Sequence, residues 1–315
     1  MSKTATFLKH QAILVAMIMV FIVFSLLSRQ FCTEDNIVLI FRQIATIAVM
    51  GCGMSFVIIG GNFDLSVGSL LSLCCVTCIS LHDVIGPIPA ILVTIGVGIA
   101  SGAVSGLLVG YLRLNSMIVT LGMMNVLQAL ALIASGGKYA SLTNSDVWFT
   151  QIGKGSIGII PIASIIMVIV IVIYATLLNK TVFGHQVLAV GSNTETCRYS
   201  GINDKKVILN TFILSGIAAA IGAILLCSRS ASAQSTIGQG YEFDVITGVI
   251  LGGASLSGGS GSVFKTFIGI AIIGILKNGF IILGLPYYLQ WIAQCIIILL
   301  AVYFAIISAR KKSVV

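Results

Sequence analysis

Charge is scarce in this sequence. Only 8% of its 315 residues are charged, against 58% hydrophobic, and the mean hydropathy is +1.13. A soluble globular domain carries about a quarter of its residues as charge, so an ordinary soluble domain is excluded. The nine carboxylates of the whole chain leave few acids for an intramembrane proton or sodium relay, and Asp64, Glu242 and Asp244 all stand near helix starts. No GxxxxGK[ST] phosphate loop occurs, which excludes ATP hydrolysis by this chain alone. Histidine is as sparse: His10, His82 and His185 lie near the ends of apolar runs, where a plain interfacial role is the favoured reading. No His, Cys or carboxylate cluster has catalytic or zinc-site spacing, so an enzyme is not expected and no metal ligand is assigned. Cys74, Cys75 and Cys78 come nearest to a ligand group, but with Cys52, Cys227 and Cys295 they sit within or beside apolar runs and read as small packing residues.

What the chain has instead is long uncharged runs, each able to cross about 30 Å of hydrocarbon at about 1.5 Å per residue. They are residues 10–28, 38–59, 65–81, 88–112, 117–135, 159–178, 207–227, 245–257, 266–283 and 287–308. The fold class is therefore an all-α polytopic membrane protein of about ten transmembrane helices in one transmembrane domain, 1–315, with nine or eleven helices left open. No signal-peptidase site follows the first run, so it reads as a retained helix.

Basic residues set the orientation, because cytoplasmic loops carry the excess of Lys and Arg. With the N-terminus inside, Lys3, Lys9, Arg113, Lys180, Arg198, Lys205, Lys206, Lys265, Arg310, Lys311 and Lys312 fall on the cytoplasmic side, and only Arg29, Lys138, Lys154 and Arg229 outside. Arg42 and Lys277 lie within runs. Both termini are then expected to be cytoplasmic. The net charge of +8 becomes a sign of topology and gives no ground for a nucleic-acid partner.

Two polar stretches interrupt the runs. Residues 136–158, rich in Gly, Ser and Thr, are expected outside, with Trp148 suited to an interface. Residues 180–206 are expected inside, and within them NTETCRYSGI reads as a short helix capped by Asn193 or Thr194 and ended by Gly201. Such a turn between two spans is either a docking element or an ordinary solvated loop.

Four stretches together carry a resemblance: GGNFDLSVGS from residue 60, LRLNSMIVTLGMM at 112–124, FGHQVLAVGSNTETCRYSGI at 183–202 and SAQSTIGQGYEFDVITGVILGGASLSGGSGS at 232–262. In this order, over nearly the whole chain, the sequence resembles the ribose-type permease family of ABC transporters. The resemblance implies a transmembrane subunit in a bacterial cytoplasmic (inner) membrane, paired with a second permease subunit that is either an identical chain or a paralogue. It further implies a solute received from an extracytoplasmic binding protein, and cytoplasmic ABC ATPase subunits that bind the ATP and magnesium, this chain binding no cofactor. The segment like 183–202 is the family's coupling segment, so Gly184, Asn193, Glu195, Arg198, Ser200 and Gly201 are its candidate docking residues. The solute class it implies is a monosaccharide, with the SAQ…GYEFD segment most like the ribose branch. The alternative is an ion-coupled secondary carrier of a small polar solute.

The sequence departs from the family at three places. Asn62 and Phe63 precede Asp64 where Gly-Ile is usual, and Asn62 is expected to supply the left-handed backbone of that turn. Thr196 and Cys197 replace small alanines. Lys277 precedes Asn278 where an uncharged polar residue is usual; it either favours an anionic group, snorkels, or is paired in a buried site.

Asp64 opens FDLSVG and Asp244 opens FDVITG, in runs that occupy equivalent places if residues 1–150 and 151–315 are inverted five-helix halves. Each Asp can cap its helix at reduced cost, by accepting free N–H groups at the positive end of the dipole. Each can also line a polar path between broken helices. With Asp64 and Asp244, the path candidates are Ser66, Gly68, Asn115, Tyr241, Lys277 and Asn278. A neutral, hydroxyl-rich solute fits a path with few fixed charges.

Overall fold

The computed structural model describes residues 12–143 and 147–286, with scattered positions from 288 to 303. Twelve α-helices are formed by the described residues: α1 Ala12–Leu27, α2 Glu34–Ile59, α3 Val67–Ile85, α4 Pro87–Gly110, α5 Ser116–Ser135, α6 Val147–Lys154, α7 Ile162–Lys180, α8 Val182–Ser192, α9 Thr194–Tyr199, α10 Asp204–Ser230, α11 Tyr241–Leu251 and α12 Val263–Ile282. Seven of them, α2, α3, α4, α5, α7, α10 and α12, are long and apolar enough to cross a membrane, and α1 is a shorter apolar helix. The run expected at 287–308 falls largely outside the described residues. The chain is an all-α polytopic membrane protein.

The eighth run departs from expectation. Instead of a spanning helix it forms α11, eleven residues long, about 16 Å at about 1.5 Å per residue and so about half the hydrocarbon thickness. The strand β4, Ser232–Ala233, and a non-helical stretch lead into it. Polar Ser, Gln, Thr and Gly residues at 234–240 deny this stretch a helical apolar face, so the crossing is broken in the middle.

α10 occupies the centre, packed on α2, α3 and α4. Its approach to α4 is set by glycines at every fourth position, Gly98, Gly102, Gly106 and Gly110. A Cβ at Gly102 would stand 2.9 Å from Ile213 Cα, and one at Gly106 2.9 Å from Leu209 Cα. Small residues on one stripe let two backbones meet, and dispersion between them replaces the hydrophobic drive that lipid cannot provide. The opposite faces of α4 and α5 expose Leu92, Leu107, Ile118, Val126 and Ile133, as expected of surfaces that meet acyl chains.

The two ends of the bundle differ. One carries Arg113, Lys180, Arg198, Lys205 and Lys206, with α8 and α9 between α7 and α10; we refer to it as the basic end. The other carries α6 and two short antiparallel pairings. β1, Ala140–Ser141, pairs with β4, and β2, Ser156–Ile157, pairs with β3, Ile160–Pro161. There Asp83 at the end of α3 accepts from the Thr143 backbone at 2.8 Å and from its hydroxyl, and pairs with His82 Nδ1 at 3.0 Å. His82 is buried against Phe149 in the last turn of α3. Cys52, Cys74, Cys75, Cys78 and Cys227 are buried among apolar side chains, and no group of metal-ligating side chains forms among the described residues. Cys295 is exposed.

Candidate functional site

The starts of α3 and α11 converge inside the bundle. α2 ends at Gly60, and the left-handed residue of the turn that follows is Gly61, with φ +81°. Asn62 is not left-handed; its side-chain amide instead donates to the Gly60 carbonyl at 3.2 Å. The chain then meets α5, where the Phe63 N–H bonds the Ser116 hydroxyl at 3.2 Å. Asp64 follows, 3% exposed. Its Oδ1 accepts from the Ser66 N–H at 3.0 Å and the Ser66 hydroxyl at 2.6 Å, and its Oδ2 accepts from the Ser215 hydroxyl at 3.1 Å. Ser215 lies eleven positions into α10, about 16 Å from its start at about 1.5 Å per residue. Asp64 is thus deep in the bundle, folding the turn before α3 and bridging to α10, and does not cap a helix at its surface.

Gly68 in the first turn of α3 meets the segment leading into α11. A Cβ there would stand 2.7 Å from the Gly238 carbonyl oxygen and 3.1 Å from Glu242 Cδ. The Gly238 N–H donates to the Ser72 hydroxyl at 2.9 Å, and Gln128 of α5 donates to the Ser235 carbonyl at 2.7 Å. The polar backbone of the broken crossing is therefore satisfied by side chains of α3 and α5, which is how non-helical chain is tolerated at membrane depth. Glu242 accepts from the Gly240 N–H at 3.2 Å. Two helix starts, with Asp64, Ser66, Gly68, Tyr241, Glu242 and Asp244, gather at one place.

The other path candidates are occupied differently. Lys277 of α12 forms an ion pair with Asp244, which is 1% exposed; of its three readings, the structure selects pairing. Asn278 forms a reciprocal amide pair with Asn36 of α2, at 3.0 and 2.9 Å, and Asn36 also donates to the Phe31 carbonyl at 2.8 Å. Its amide binds helix to helix. Asn115 is the N-cap of α5, accepting from Met117 N and Ile118 N at 3.0 and 3.3 Å; it lies at the basic end, away from the convergence.

At that end α8 is an eleven-residue helix that sequence reasoning left within a loop. Gly184 is buried in the turn from α7, where a Cβ would stand 2.5 Å from the Leu177 carbonyl oxygen; it shapes the turn and presents no docking surface. Asn193 caps α9, accepting from the Thr196 N–H at 2.9 Å, and Gly201, with φ +80°, ends it. Arg198 turns inward, placing Nε and Nη2 at 3.0 and 2.8 Å from one oxygen of the buried Asp204, with Arg113 at 3.6 Å from the same oxygen. Glu195, Ser200 and Tyr199 remain on the exposed face, Tyr199 being 93% exposed. Asp204 and Tyr199 were missed in the sequence. The signal for Asp204 was its place beside Asn203, which caps α10 by accepting from the Lys206 N–H at 3.1 Å.

A junction of glycines joins these two regions. A Cβ at Gly258 would stand 2.8 Å from Gly61 Cα and 2.7 Å from the Gly191 carbonyl oxygen, and the Gly259 N–H donates to the Ile59 carbonyl at 2.8 Å. The end of α8, the turn before Asp64 and the loop between α11 and α12 are in backbone contact.

Two short helices, α8 and α9, thus stand at the basic end, and a broken apolar run lies within the bundle. Residues 36–303 match a family described as the permease component of the branched-chain amino acid transport system. The chain belongs to this family. Among its relatives, the ribose import permease protein RbsC of Escherichia coli K12 is 36% identical over 305 residues, covering 95% of this chain and 94% of the relative. RbsC of Bacillus subtilis 168 is 36% identical over 293 residues, covering 93% and 90%. The L-arabinose transport system permease protein AraH of E. coli K12 is 32% identical over 310 residues, covering 96% and 92%. No solved structure matches the chain. As a permease, it is a transport subunit and not an enzyme.

Proposed function

We propose that this permease is the transmembrane subunit of an ATP-driven importer that moves a monosaccharide of the ribose or arabinose kind across a bacterial inner membrane. The observation that carries the reading is the convergence of the α3 and α11 starts beside a broken, side-chain-satisfied crossing. Discontinuous helices of this sort place polar groups at mid-depth without exposing backbone to lipid. In this reading the basic end is cytoplasmic, the chain makes ten crossings with both termini inside, and the halves 1–150 and 151–315 are inverted. α11 and α3 run away from their meeting point in opposite senses, as inversion requires. A second permease subunit completes the pathway, an extracytoplasmic binding protein delivers the sugar, and ATPase subunits, which hold ATP and magnesium, dock on the exposed face of α9.

Reconstitution of the permease with its ATPase and binding protein in proteoliposomes tests this. Uptake of labelled ribose or arabinose is expected to require ATP on the cytoplasmic side and the binding protein on the other. Uptake driven by a proton or sodium gradient without ATP would replace the proposal with a secondary carrier.

A further inference from the structure

Two arginines from different helices meet the last turn of α6, one through its guanidinium and one through its backbone. Arg42, in the apolar α2, donates through Nη2 to the Lys154 carbonyl at 2.5 Å and to the Ser156 hydroxyl at 2.9 Å. Arg229, in the last turn of α10, lies against Gly153, where a Cβ would stand 2.7 Å from Arg229 Cα. The two guanidiniums are in electrostatic reach of each other, and Arg229 is in reach of the Tyr241 phenol at the head of α11.

Neither arginine has a carboxylate partner among the described residues. Each also keeps a buried nitrogen with no acceptor, Nε of Arg42 and Nη1 of Arg229. Holding α6 does not require this. One neutral donor would serve the Lys154 carbonyl, whereas two nearby like charges repel, and a buried donor without an acceptor costs its desolvation. The guanidinium fork matches the paired oxygens of a carboxylate or phosphate. Lys277, the other cation within the apolar runs, is already taken by Asp244.

We propose that Arg42 and Arg229 form an oxyanion-receiving pair between the α6 end of the bundle and the head of α11, so that the transported sugar carries one carboxylate or phosphate. The inference rests on the importer reading, in which solute arrives from the α6 end and passes this pair before reaching the convergence of α3 and α11. The missing acceptors are then the oxygens of the cargo, and the cost of the like-charge pair is offset when it binds.

The test is uptake by the complete transporter in proteoliposomes, comparing a pentose, the corresponding pentonate, its neutral amide and the pentose 5-phosphate. Wild type is expected to take up the pentonate or the phosphate about tenfold faster than the pentose and the amide, and which anion leads separates a carboxylate from a phosphate cargo. With the same binding protein and equal amounts of assembled complex, Arg42→Gln and Arg229→Gln are expected to lower that ratio about tenfold, and Arg42→Lys to retain part of it. If Arg42→Gln fails to assemble, Arg229→Gln and the acid–amide comparison on wild type still decide. Uptake of the pentose with no preference for either anion, or an anion preference untouched by Arg229→Gln, overturns the arginine assignment and leaves the importer reading standing. Absence of uptake for all four solutes overturns both.

Discussion

The Asp244–Lys277 pair is asymmetric, and the asymmetry sets an expected order of damage. The Asp244 side chain is 1% exposed, whereas that of Lys277 is 36% exposed. Lys277→Met keeps the apolar stem and removes the cation from a carboxylate that water does not reach. Removing one member of a buried ion pair costs about 3–5 kcal/mol, and the partial exposure of Lys277 screens the attraction, so the lower end applies, about 3 kcal/mol. At about 1.4 kcal/mol per factor of ten, that is about a hundredfold in the unfolding equilibrium. Asp244→Asn instead leaves a lysine that can turn toward solvent, at a cost of about 0–1 kcal/mol. The double variant should resemble Asp244→Asn, because no carboxylate is left to lose its cation, giving a coupling of about 3 kcal/mol between the sites. Unfolding of the purified permease in mixed micelles, titrated with a denaturing detergent, reads all three variants on one scale. Equal damage from the two single variants, or a double variant no better than Lys277→Met, would refute the reasoning.

Asp64→Asn keeps the Oδ1 acceptor for Ser66, and the Ser215 hydroxyl can turn to accept, so assembly should be near normal; a large fall in uptake at matched complex levels would then measure the charge itself, and normal uptake would leave Asp64 a structural turn residue. Gly102→Leu, aimed at Ile213, should destabilise by about 1–3 kcal/mol or more in the same detergent titration, while Gly96→Leu, which faces open space, should not. Gly201→Trp puts a side chain on a left-handed residue at the end of α9 and should lower transport-linked ATPase activity while membrane insertion, read by extraction of the folded permease, is unchanged. Gly191→Ala directs a Cβ to within 2.6 Å of the Gly259 nitrogen, so uptake should fall about tenfold or more while ATPase subunits still co-purify; loss of co-purification instead would assign Gly191 to docking.

Legibility followed the kind of physics involved. The spanning helices were read well because each crossing must close its backbone hydrogen bonds within one long apolar run, and such runs announce themselves. The cap at Asn193 and the stop at Gly201 were readable because both are local events within ten residues. The eighth run was misread because apolar content does not say where a helix starts: the break at 232–240 depends on an acceptor, Ser72, and a donor, Gln128, far away in sequence. For the same reason Asn278 looked like a path residue until Asn36, 242 positions away, claimed its amide. Placing the left-handed turn on Asn62 instead of Gly61 was an error of one position, of the kind expected where two adjacent residues both tolerate φ > 0. Arg198 had a partner within six residues, but direction mattered: a guanidinium on a short, exposed helix reads as easily outward as inward, and the burial of Asp204 decides.

Close backbone contacts occur at two places of different character. Along α4 and α10 they run from Gly98 to Gly110, about three turns, between regular helices, and a displacement there would have to break many contacts at once. At Gly61, Gly191 and Gly258 the contacts join ends of elements, two of them through left-handed glycines, where a few dihedrals can absorb a shift. On the importer reading, a push on α9 passes through Asn193 and Ser192 into Gly191, and from there into the Ile59–Gly61 turn and the loop before α12 together. The first leads within three residues to Asp64 and the second closes the end of α11. On that reading, force applied at α9 reaches the turn before α3 and the far end of α11, while the α4–α10 pair, against which Asp64 is braced by Ser215, offers a wall. On the importer reading, a path that opens by parting α3 from α11 suits that arrangement, because the junction touches the turn before one and the end of the other.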